Sequence, residues 1–131
     1  PIIIIEMGTA TTMSVIDKNS RYIGGAILPG LRVSLDSMSS NTAQLPRISL
    51  DTPKKVIGKN TVDCMRSGVI FGNAAMIDGM LSRIEEELGG PATVIATGGI
   101  AKAVLPLCSH NIIYAGALLL KGLLALYEKN K

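Results

Sequence analysis

A chain of 131 residues, 47% apolar and 18% charged, has room for one domain with a sizeable core. One Phe, three Tyr and no Trp leave that core to Ile, Leu, Val, Ala and Met, which suits a layered α/β fold. The net charge of +3 comes from scattered basic residues, densest at Lys54, Lys55 and Lys59, without the basic stripe of a nucleic-acid binder.

Residues 2–5 are four consecutive isoleucines, the pattern of a strand buried on both faces. The abrupt start at Pro1 predicts that a further segment precedes it. EMGTATT, Glu6 to Thr12, turns the chain, and residues 12–17 read as a second strand. Lys18-Asn19-Ser20 is a turn cluster, and residues 21–28 (RYIGGAIL) read as a third strand, completing an antiparallel meander. Pro29-Gly30 breaks the pattern and opens a helix over Leu31–Ser40. Residues 42–52 read as extended, because Pro46 and Pro53 exclude helix.

A long helix is expected over Thr61–Leu88, with Thr61 as its N-cap, Asp63 in the first turn and Arg83 to Glu87 as an exposed pair. Gly68, Gly72 and Gly79 inside it predict close packing against another backbone, or a break into two helices near Gly72. Gly89-Gly90-Pro91 stops the helix. Residues 93–96 form a short buried strand, Thr97-Gly98-Gly99 a tight turn, 100–108 a helix and 116–127 an apolar final helix.

Two turns are candidates for chemistry. Gly8 lets the backbone approach a ligand, and the hydroxyls of Thr9 and Thr11 can bond phosphate oxygens, although the same residues also make ordinary hairpins. Gly98 and Gly99, between a strand and a helix start, suit an anion or a flat base, or equally tight strand-to-helix packing. Cys64 and Cys108 lack metal or disulfide spacing and read as reduced core residues. His110, the one histidine, reads as a surface residue without a partner. Arg66 reads as support for the fold or an interface. Asp17 and Asp36 are possible bases that nothing singles out. No apolar run near either end is long enough for a signal or membrane span, so a soluble cytoplasmic protein without membrane or nucleic-acid partners is expected.

GTATT after an apolar strand, YIGGAILPG, TAQLP, IGKNT, RSG, ATGG and the closing LLLKGL occur in that order. Together they resemble the second half of type III pantothenate kinases, over essentially the whole chain. The resemblance implies one lobe of the actin-like ATPase (ribonuclease H-like) fold, with residues 1–131 as a C-terminal lobe and the N-terminal lobe absent. It implies a transferase that moves the γ-phosphoryl group of ATP to the 4′-hydroxyl of pantothenate, opening coenzyme A biosynthesis. It also implies Mg²⁺, a monovalent cation (K⁺ or NH₄⁺) and a homodimer.

By position, Thr9 matches the family's ATP-contacting threonine, with Gly8 beside it. Thr61 matches the threonine that reaches pantothenate across the dimer interface. Glu6 stands where the family places a cation-binding Asp, and Gly98 and Gly99 match adenosine-side glycines. Glu6 pairing with a nearby Lys or Arg is the alternative. The Asp-x-Gly-Asn-Thr phosphate loop, and the Gly-x-Asp-Arg segment that carries the general base, are not in this sequence. The resemblance therefore places no catalytic residue here, and the piece alone is expected to be inactive. The other reading is a regulatory or transcription-accessory protein on the same fold.

Overall fold

The computed structural model describes residues 1–40 and 51–131, so TAQLP and most of the extended stretch at 42–52 lie outside the described residues. Five strands form one sheet in the order β3-β2-β1-β4-β5. Strands β1 (Ile2–Met7), β2 (Thr11–Ile16) and β3 (Tyr22–Leu28) make the expected antiparallel meander. Strand β4 (Thr93–Thr97) returns parallel to β1, with Glu6 opposite Thr97, and β5 (Ile112–Tyr114) adds a second parallel strand. This mixed α/β sheet agrees with one lobe of the actin-like ATPase architecture. Strand β5 is not legible in the sequence, because three residues at a sheet edge are too few to show a period.

Alternation along the strands decides where the core lies. Ile3, Ile5 and Met7 of β1 share a face with Met13, Val15, Val94 and Ala96, and all are buried. Helices α1 (Leu31–Ser40) and α2 (Thr61–Leu88) supply Leu31, Leu35, Val69, Ile70, Ala74, Ile77 and Leu81 to the same core. At about 25 cal/mol per Å² of apolar surface removed from water, such side chains carry most of the fold's stabilisation. On the opposite face, Ile2, Ile4 and Ile95 are half-buried.

Helix α2 runs unbroken through Gly72. Its N-cap is Asn60 and not Thr61: the Asn60 side chain accepts the Asp63 amide at 2.9 Å and its Nδ2 donates to the Asp63 carboxylate at 3.0 Å. Extended backbone at Asn60 places its amide over the free N–H groups, whereas Thr61 already lies inside the helix. Gly89, at φ 83°, closes the other end and donates to the carbonyls of Glu85 and Glu86. Among the described residues of the chain itself, Gly68, Gly72 and Gly79 pack against no other backbone, since a Cβ at each would meet open space. Among the described residues Arg83 and Glu87 are exposed and form no ion pair, and within α2 Arg66 lies 3.6 Å from Asp63.

The helix expected at 100–108 divides into α3 (Ala101–Val104) and a 3-10 turn over Leu105–Leu107, because Pro106 has no N–H to continue the α ladder. In helix α4 (Leu118–Lys129) Leu118 is half-buried and every later residue is exposed.

Candidate functional site

Strand pairing brings the two glycine turns together. Met7 lies opposite Thr11, so residues 8–10 form the bend between β1 and β2, closed by the Gly8 amide donating to the Ala10 carbonyl at 3.1 Å. Because β4 lies beside β1 in parallel, the Gly98-Gly99 turn emerges at the same end of the sheet. Gly98 has φ 113°, and a Cβ there would sit 2.4 Å from the Met7 carbonyl oxygen. Its glycine requirement therefore comes from packing against β1. A Cβ on Gly99 would meet open space. The carboxyl ends of parallel strands, where a turn hands over to a helix, are where α/β sheets receive ligands.

Thr9 is exposed on the bend, and its hydroxyl has no hydrogen-bond partner among the described residues. Glu6 is exposed too, with a carboxylate oxygen 3.0 Å from where a Gly8 Cβ would stand, and it forms no ion pair with a described Lys or Arg. A phosphate on this bend would lie near that carboxylate, and a cation between them would relieve the repulsion. Glu6 would bring a single carboxylate to such an ion, and the described residues hold no group of three or more His, Cys, Asp or Glu at metal-binding distance.

Thr61 does not join this cluster. The last turn of α2 and the residues after it line a cavity with Pro1 and Asp17, at the end of the sheet opposite the bend. At 28 residues, α2 is about 42 Å long, roughly twice a six-residue strand. Its N-terminus is the end remote from that cavity. There Thr61 is exposed and, relieved of capping, has no hydrogen-bond partner among the described residues. Beside it lies an open basin of about 480 Å³ lined by Lys54, Lys55, Lys59, Arg66 and Asp63, with Pro53 and Ile57 as apolar wall. The Ser67 hydroxyl donates to the Val56 carbonyl and pins this segment to the helix.

Residues 1–83 match the family described as Type III pantothenate kinase. The chain belongs to this family. It is 42% identical over 131 residues to the type III pantothenate kinase of Rhodospirillum rubrum and 46% identical over 131 residues to that of Exiguobacterium sibiricum. To that of Thermus thermophilus it is 45% identical over 125 residues. These alignments cover 100%, 100% and 95% of this chain but 51%, 51% and 49% of the relatives, so the chain spans about half the length of the curated relatives it matches. A crystal structure of a Baf family transcriptional activator from Campylobacter jejuni superposes on 98% of this chain and 57% of its own, at a TM-score of 0.71 and 23% identity. That likeness is one of fold.

In this pantothenate kinase family chain, the structure differs from the sequence expectation at His110 and Cys64. His110 is half-buried, with Nδ1 2.9 Å from Asp78 and Nε2 3.1 Å from Glu85. Asp78 and Glu85 stand about two turns apart on one side of α2 and bracket the ring. Asp78 also accepts the amides of Ser109 at 2.7 Å and His110 at 3.1 Å, while Glu85 accepts that of Ala92 at 2.8 Å. Partners 25 and 32 positions away leave no local sequence signal. Cys64 is exposed, on the side of its α2 turn away from buried Met65, and Cys108 is half-buried. Asp17 accepts the amides of Asn19 and Arg21 through one oxygen and so shapes the β2–β3 turn. Among the described residues, no helix is long and apolar enough to cross a membrane.

Proposed function

We propose that this chain is the C-terminal lobe of a two-lobed type III pantothenate kinase, and that the bend at residues 8–10 receives the phosphates of ATP. The observation that carries this is the uncommitted Thr9 hydroxyl, on a bend set directly against the Gly98-Gly99 turn. Gly8 and Thr9 take phosphate oxygens, Gly98 and Gly99 pass beneath the nucleoside, and Glu6 with nearby carbonyls holds a monovalent cation. Mg²⁺ accompanies ATP as its counter-ion.

Pantothenate carries a carboxylate, and the basin beside Thr61 offers four basic side chains against one acidic one. Thr61 does not touch the bend of its own chain, which fits a site shared between two copies. Gly68, Gly72, Ala75 and Gly79 form an exposed small-residue stripe along α2, on which a second copy can approach closely. The 4′-hydroxyl of pantothenate attacks the γ-phosphorus, ADP leaves, and the proton passes to a base outside this chain. Positioning from both walls of a cleft dominates such transfers. The Campylobacter neighbour, alike in fold, adds no support for a regulatory role.

The test is Thr61→Ala in the full-length protein. The pantothenate KM should rise at least about tenfold, the loss of a hydrogen bond to a charged substrate, while the ATP KM and Tm hold. Unchanged pantothenate kinetics would remove Thr61 from the site.

A further inference from the structure

Lys102 and Tyr114 form a contact at the nucleotide end of the sheet that the proposed activity does not use. The Lys102 ammonium lies 5.3 Å from the centroid of the Tyr114 ring, over its electron-rich face. That ring is itself held. A Cβ on Gly116 would stand 3.0 Å from the phenol oxygen, so the chain passes close beside the ring. The Tyr114 hydroxyl reaches the Gly98 carbonyl at 3.5 Å, long for a hydrogen bond but enough to set the ring beside the Gly98-Gly99 turn. Strand β5 anchors the pair, because the Ala115 amide donates to the Ala96 carbonyl at 2.8 Å, just before that turn.

Lys102 is exposed and forms no ion pair among the described residues. A free lysine side chain samples many rotamers, and a fixed one gives up less entropy when it binds an anion. We propose that Lys102, positioned by the Tyr114 ring, contacts a phosphate oxygen of the bound nucleoside polyphosphate from the β5 side of the Gly98-Gly99 turn. This rests on the nucleotide reading of the bend. Tyr114 is a positioning residue and Lys102 a binding one.

Calorimetric titration of ATP and of adenosine into the full-length protein tests both. Lys102→Ala should weaken ATP about tenfold, as expected for a lost charge-assisted contact, with adenosine affinity and Tm unchanged. Lys102→Arg should recover most of that loss. Tyr114→Phe, which keeps the ring and gives up only the long contact to Gly98, should lose less ATP affinity than Tyr114→Leu, which removes the ring. ATP binding by Lys102→Ala equal to wild type overturns the proposal, as does an equal loss for ATP and adenosine. A wild type that binds no nucleotide overturns the reading beneath it and the proposal together.

Discussion

Asp78 shows how a single side chain can be tuned by groups from elsewhere in the chain. Burial pushes its pKa up, but the amides of Ser109 and His110 and the His110 ring outweigh that and hold the carboxyl below its ordinary value. A depressed carboxyl adds stability that is present above the unfolded pKa, about 4, and disappears as pH falls through the folded value. Asp78→Asn should therefore cost about 1–2 kcal/mol at pH 7. The gap to wild type should close below about pH 4 in thermal melts taken across pH, and a gap independent of pH would contradict the assignment. Burial, with the Asp78 charge nearby, pushes the Cys108 thiol up to about 11. Cys64 is exposed. Alkylation of the native protein at pH 8, followed by mass, should modify Cys64 first and Cys108 only on unfolding.

At the scale of elements, α2 presents a testable conflict. A glycine in an exposed helix interior costs roughly 0.5–1 kcal/mol relative to alanine, and Gly72 has open space for a methyl group. Gly72→Ala should raise the stability of the separate chain by about that amount. If the small-residue stripe is the seam between copies, the same change weakens self-association in sedimentation. Stabilisation with no change in association would place the interface elsewhere. Elements with strong local signals were legible: four isoleucines made β1, and apolar residues at helical spacing between Asn60 and Gly89 made α2. The cap lies one residue before the Thr61 that the sequence points to, because both side chains are able caps and only the backbone turn selects Asn60.

The whole molecule sets what this lobe can do. On the reading proposed above it supplies one wall of a phosphoryl-transfer site, and the two motifs expected on the other wall are not in its sequence. Residues 1–131 assayed alone with ATP and pantothenate should give no turnover, and measurable ADP formation coupled to pantothenate would overturn the two-wall account. On α4, Leu119, Leu120, Leu123, Leu124, Leu126 and Tyr127 are each more than half exposed, a large apolar surface for an isolated unit. The sequence by itself determined the meander, the long helix, both glycine turns and the family, because each rests on near neighbours or on ordered motifs. Tertiary structure alone decided that the two turns share one end of the sheet, that His110 is clasped by Asp78 and Glu85, and that Lys102 rests on Tyr114. Those are contacts between distant residues, made by the parallel return of β4 and β5, and one sequence carries no local trace of which strands will lie side by side.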